Sequence, residues 1–270
     1  MNKKEIAKNI KNKVKEWTQS ITDSKLRKDV QQDFIVTGGC ISSMLLDEPV
    51  NDYDIYLKNT DTALRLTKYY TALAGWSKTP LQVTDTGITM PIIGQPMKPI
   101  KLVGESETVD KYKPVYFSRN AITLTSGVQI VIRFCGDVEK IHKTFDFAHT
   151  KNYYTEDDKL VLNQFSLEAI VAKELHYAGS GFPLCALFRA NKLVKRGWNI
   201  SANELMKISY DISKLDLGNA DIIREQLSGV YGDMLAIAIH GCKGKLSRDQ
   251  FFAIMEGYDP IKPEDLGTYN

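Results

Sequence analysis

The sequence predicts a mixed α/β head with a mixed sheet, followed by an all-helical C-terminal domain. Three observations carry this. Short β-type runs alternate with helical spacings through residues 21–155, residues 79–114 hold Pro80, Pro91, Pro96, Pro99 and Pro114 among further β-type runs, and after Gln164 apolar residues recur at helical spacing. The expected division is a basic amphipathic helix over 1–20, a head over 21–155 and a helical domain over 156–270.

The elements follow in order. Ile6, Ile10, Val14 and Trp17 stand at helical spacing, with Lys3, Lys4, Lys8, Lys11, Lys13 and Lys15 largely on the other faces. Residues 33–37 read as a short buried strand that ends at Gly38 and Gly39. Helical spacing resumes from Ile41 to Leu46, a turn follows over 47–51, and 52–57 return as a strand. Leu64, Leu66, Tyr69 and Leu73 predict a helix over 60–75. The proline-rich 79–114 stretch reads as irregular hairpins inserted into or extending the sheet. A hairpin around Ser126-Gly127 joins 121–125 to 128–134, then come a short helix and a strand over 144–147. Leu167, Ile170, Val171 and Leu175 predict a helix over 165–177, and 184–196 and 220–240 read as two more, the first with Leu184, Leu187, Phe188 and Leu193 inward.

Composition narrows the function. The chain has 270 residues, 43% hydrophobic, which is enough for a sizeable core. No apolar run is long enough to span a bilayer and no signal-like segment opens the chain, so a cytoplasmic protein, of a cell or of an infected host, is expected. The net charge of +2 excludes wholesale binding of nucleic acid by charge, so any such contact is local. Cys40, Cys135, Cys185 and Cys242 are widely spaced and read as reduced, buried thiols, not as a zinc site or disulfide framework.

The chemistry concentrates in 37–57. Residues two apart on a strand share a face, so Asp52 and Asp54 project together while Tyr53, Ile55 and Leu57 face the other way. Two carboxylates on one face repel unless a cation lies between them, and hard oxygen ligands suit Mg²⁺, which completes its shell with waters and substrate phosphates. Upstream, Gly38 and Gly39 leave room for close approach and lead into a helix whose N-terminal N–H groups favour phosphate.

In this order the residues resemble the nucleotidyltransferase superfamily that includes DNA polymerase β, and within it the head of tRNA CCA-adding enzymes and bacterial poly(A) polymerases. There Gly-Gly precedes a short helix with a Leu-Leu pair, here Leu45-Leu46, and then Asp-x-Asp. A second segment, from Pro183-Leu184 to Gly197-Trp198 and Ile200, is similar to the neck helix of the same enzymes. Together the two cover about a third of the chain. The runs 145–150, 175–180 and 195–198 are also similar to nucleotidyltransferase-like proteins of phages and large viruses.

The resemblance implies a nucleotidyltransferase head that joins NMP from an NTP, ATP or CTP, to an acceptor hydroxyl with Mg²⁺ or Mn²⁺. RNA is the implied acceptor, a 3′ end or a tRNA. It implies Asp52 and Asp54 as metal ligands, with Asp146, read as standing on a neighbouring strand, completing the site and helping activate the hydroxyl. Gly38, Gly39 and Ser42 or Ser43 would hold the triphosphate; Ser42 and Ser43 replace the family's Arg-Asp. Arg189, Lys192, Lys195 and Arg196 on the neck helix would meet triphosphate or RNA backbone. Where the family carries base-selecting Glu-Asp and Arg, this chain has Gly181, Phe182 and Cys185, which places CCA specificity in doubt. Nucleotidylation of a protein or small molecule, and a non-catalytic module on the same fold, are the competing readings. Beyond the motifs, His149 reads as structural or phosphate-facing, Lys151, Tyr153 and Tyr154 as core or pocket, and Asp221 with Arg224 as a surface ion pair.

Overall fold

A computed structural model describes residues 1–90, 111–227 and 244–256. Helix α1 (Lys3–Gln19) opens on a capping box between Asn2 and Glu5 and buries Ile6, Ile10, Val14 and Trp17, the face its periodicity predicts. The Trp17 indole N–H donates to the Tyr70 hydroxyl at 2.9 Å, which fixes α1 to a later helix. Helix α2 (Ser24–Asp33), capped by Asp23, has only Leu26 and Val30 buried along its length, too few apolar positions to show a period in the sequence.

The predicted strand–turn–helix–strand unit forms as β1 (Phe34–Thr37), α3 (Gly39–Leu45) and β2 (Tyr53–Leu57), and α4 (Thr60–Leu73) follows. Two short strands, β3 (Gln82–Val83) and β4 (Ile88–Thr89), make a separate hairpin at the start of the proline-rich stretch; residues 91–110 of that stretch lie outside the described residues. The main sheet adds β5 (Pro114–Phe117), β6 (Ala121–Leu124), β7 (Val128–Cys135), β8 (Tyr153–Thr155) and β9 (Lys159–Val161) in the order β5-β6-β7-β2-β1-β8-β9. It is mixed: β2 runs parallel to β7 and antiparallel to β1. Ser126 and Gly127, both at positive φ, close the predicted β6–β7 hairpin.

The two faces of the sheet differ. Phe34, Val36, Ile55, Leu57, Ile130 and Ile132 join α1, α2 and α4 in the main core. Ile35, Tyr56, Val131 and Ile141 form a smaller cluster on the opposite face, under α5 (Val138–His142).

The strand expected over 144–147 does not form. Thr144 caps the end of α5, its hydroxyl donating to Ile141 O at 2.7 Å, and Phe147 makes only an isolated bridge to Tyr177. Phe145 and Phe147 mimic strand alternation because they enter two different apolar clusters from one bend.

Helices dominate the remainder: α6 (Gln164–Ala172), α7 (Pro183–Lys195), α8 (Ala202–Ile212), α9 (Ala220–Gln226) and α10 (Arg248–Glu256). The helix read over 165–177 stops early, at Lys173 in the left-handed region. Leu175 instead belongs to β10 (Glu174–Leu175), which pairs in parallel with β11 (Asn199–Ile200). Leu187, expected to face inward, is exposed, as is Val171 of the helical spacing read over 165–177. Of the helix read over 220–240, α9 is seen and 228–243 lie outside the described residues. Cys40, Cys135 and Cys185 are free, buried thiols; Cys242 is also outside. Among the described residues no helix is long and apolar enough to cross a membrane.

Candidate functional site

The site is built from the turn between β1 and α3. Gly38 has φ +92° and ψ −151°, a combination that only glycine adopts without strain, and a Cβ there would lie 3.0 Å from Asp54 Oδ2. The backbone thus passes directly against the carboxylate. Gly39, the first residue of α3, is exposed and has nothing within 4 Å of where a Cβ would stand, and no side chain caps the helix, so no side chain takes up its first N–H groups.

Asp54 lies on β2 opposite Thr37 of β1 and Gln129 of β7. Strand alternation puts Tyr56 on the same face, its ring against Phe145 at 5.8 Å. Asp52, just before the strand, is exposed as a residue, and partial desolvation by its surroundings raises its carboxyl pKa. Burial and the negative charge of Asp52 push Asp54 up to about 8. Beneath the pair, burial and then the two carboxylates hold the Cys40 thiol protonated well above its usual range.

Helix α7 faces this pair. Arg189 opposes the upward shift at Asp54, and Lys192, one turn on, opposes it at Asp52. Arg189 is anchored by an ion pair to Asp146 Oδ2, and the other oxygen of Asp146 accepts from the Ser180 hydroxyl at 2.6 Å. Burial works against the charged guanidinium, and Asp146 with its neighbours outweighs it.

Asp146 therefore stands in a bend, with both oxygens engaged, and not on a strand beside Asp52 and Asp54. The sheet position next to Asp54 carries Gln129, whose amide donates to Thr123 at 3.3 Å. Among the described residues no three acidic, His or Cys side chains are arranged to hold a metal. Asp52 and Asp54 alone form the donor pair. Two carboxylates on one face, each raised by burial and Asp54's also by its neighbour, fit Mg²⁺ or Mn²⁺, whose shell is otherwise completed by water and phosphate.

The other expected residues divide. The Ser42 hydroxyl is buried and donates to His149 O at 2.8 Å, so it points into the fold; Ser43 is half-buried. His149 packs on Trp198 at 4.5 Å, with burial pushing it down to about 4. Tyr154 is core, stacked on Phe34, and Tyr153 faces the His142 ring. Arg196 pairs with Glu48 at 3.0 Å, and Lys195 is exposed. Asp221 and Arg224 form the expected ion pair.

At the positions that select a base in the resembling enzymes, Gly181 O accepts from Gln226, Phe182 lies 4.5 Å from the Arg133 guanidinium, and Cys185 is buried against Gln226 O. All three serve packing. The sequence reading did not single out Tyr56, although the alternation that pairs Asp52 with Asp54 reaches it. Ser180 lies in the 175–180 run noted in the sequence, but its role is not marked there, since it meets Asp146 only through folding.

A family model described as "Gad2: Gabija anti-defense 2 family protein" matches residues 8–173, more than half of the chain. A curated relative, Gabija anti-defense 2 of Bacillus phage SPbetaL7, is 21% identical over 204 residues, which is 75% of this chain and 43% of the relative. The chain thus spans less than half the length of that relative. Among solved structures, a CCA-adding enzyme with ATP has a TM-score of 0.46 at 14% identity, over 97% of this chain and 54% of the other. The Thermotoga maritima CCA-adding enzyme complexed with tRNA has 0.42 at 14% identity, over 90% and 53%. By the family match, the chain belongs to the Gabija anti-defense 2 family.

Proposed function

We propose that this member of the Gabija anti-defense 2 family is a metal-dependent nucleotidyltransferase, which joins the NMP of an NTP to an acceptor hydroxyl and releases pyrophosphate. The observation that carries the reading is the placement of Asp52 and Asp54 on one face, against the Gly38 turn and opposite two cations of α7. A divalent ion held by Asp52 and Asp54 would supply Lewis-acid polarisation of the phosphoryl oxygens.

The chain's own groups do the rest. The Gly38–Gly39 turn leaves the triphosphate room to approach the α3 N–H groups, with Ser43 the serine placed to assist. Arg189 and Lys192 offset the charge that gathers on the departing pyrophosphate, and fixed charges of this kind need no reorganisation during the reaction. Asp146 and Ser180 hold the guanidinium in place. Asp146 is thus a positioning residue and not the base that activates the acceptor.

RNA, a 3′ end or a tRNA, is the first acceptor reading, supported by the neck-like segment ending at Gly197, Trp198 and Ile200. Transfer to a protein is the second. It is favoured by the packing roles of Gly181, Phe182 and Cys185, which leave no base-selecting edge, and by the anti-defense name of the phage relative, which points to a component of a host defence as target. Incubation with each α-labelled NTP and Mg²⁺ over host RNA and protein separates these. Label in RNA names the first, label in protein the second, and label in neither, with folded protein and with Mn²⁺ also tried, leaves a non-catalytic module.

A further inference from the structure

The outer face of α1 carries an ordered row of charge. Lys4, Lys8, Lys11 and Lys15 stand at i, i+4, i+7 and i+11, on the side of the helix opposite Ile6, Ile10, Val14 and Trp17, and all four are exposed. At ~1.5 Å per residue the row is about 16 Å long. The two carboxylates of the helix are engaged elsewhere: Glu5 accepts from the Asn2 N–H in the capping box, and Glu16 pairs with Lys111. Lys13, on the flank, donates to Ser126 O at 2.9 Å and is not part of the row. Among the described residues no acidic side chain neutralises the four lysines. With six lysines against two glutamates, α1 is more positive than the whole chain, whose net charge is +2.

Such a row has a cost. Like charges three and four apart repel, and lysine in the first turn opposes the helix dipole. A polyanion laid along the row removes both penalties. A bilayer does not fit, because an interfacial helix needs a free apolar face and that of α1 is 0–4% exposed within the core. An acidic peptide does not fit well either, because the row offers no apolar or aromatic anchor. Evenly spaced charge without anchors is what a phosphate backbone takes.

We infer that the lysine row of α1 is a binding surface for the phosphate backbone of a nucleic acid, taken without regard to base sequence. It is a second surface, since α1 packs on the sheet face away from Tyr56, and it does not rest on the proposed transfer reaction.

The test is titration of the full chain, without NTP or metal, against labelled single-stranded RNA and a duplex of equal length from 50 to 200 mM KCl. Changing all four lysines (K4Q/K8Q/K11Q/K15Q) is expected to flatten the slope of log affinity against log salt by about 3 for the single strand and nearly 4 for the duplex. At 50 mM this variant binds at least tenfold more weakly, with a melting temperature no lower than that of the wild type. A control with four exposed lysines changed elsewhere (K68Q/K78Q/K143Q/K245Q) keeps most of the wild-type affinity and slope. Equal losses in both variants, or an unchanged slope in the first, would overturn the inference. So would binding to phosphatidylglycerol vesicles but to neither nucleic acid.

Discussion

Replacing Gly38 by alanine tests the site at its tightest point. The backbone there, at φ +92° and ψ −151°, lies in a region almost restricted to glycine, and holding alanine in it costs roughly 1–3 kcal/mol. The added Cβ would also meet Asp54 Oδ2 at 3.0 Å, so the carboxylate has to give by a few tenths of an ångström or the turn has to move. For a chain of this size each kcal/mol shifts the melting temperature by about 2–4 °C, so G38A is expected to melt several degrees lower. Transfer activity should fall further than stability, by roughly tenfold and up to the hundredfold that a full misplacement of about 1 Å costs. Gly39→Ala is the control, since its methyl group enters open space at a helical position and does not lower the melting temperature. Scanning calorimetry with and without Mg²⁺, beside a label-transfer assay, reads both effects. A G38A protein with wild-type melting and wild-type transfer would refute the argument that this turn sets the carboxylate.

Three further outcomes are expected. Asp54 has a folded pKa near 8, above its unfolded value, so its protonated form stabilises the fold; metal-free wild type should lose stability as pH rises from about 4 to about 8, and Asp54→Asn should flatten that loss in a melting-temperature series. Arg189→Ala leaves the Asp146 carboxylate unpaired, costing less than the ~3–5 kcal/mol of a fully buried pair because Arg189 keeps contact with solvent, and raises the KM for NTP. Asp146→Asn keeps the fold and shows a milder rise in KM than R189A, whereas loss of all activity in D146N would restore Asp146 to the reacting centre. Trp17→Ala removes a fully buried ring and its bond to Tyr70, and denaturant unfolding should register about 3–5 kcal/mol.

The part of the fold readable in advance is the part where local chemistry and period agree. The Gly38–Gly39 turn, the 126–127 hairpin and the buried stripe of α1 are each dictated within a few residues, and each forms. Helix α2 escaped because two apolar anchors in a polar segment give no period. Residues 144–147 misled for the opposite reason: alternation arises there from a bend whose two phenylalanines enter separate clusters. The same limit applies to the site. Asp52, Asp54 and Gly38 are neighbours along the chain and could be read together. The partnership of Asp146 with Arg189 and Ser180, and the sheet position taken by Gln129, join segments far apart in sequence and become visible only once packed.

The most direct measurement is a crystal structure of the chain with Mn²⁺ and an ATP analogue whose α–β bridge cannot be cleaved, with anomalous scattering used to locate the metal. A Mn²⁺ peak is expected between the Asp52 and Asp54 carboxylates, with the triphosphate along the Gly38–Gly39 turn and its outer phosphates facing Arg189 and Lys192. Metal and nucleotide bound together at any other place, or an ordered Asp52–Asp54 pair that stays free of metal at saturating Mn²⁺ and analogue, would contradict it.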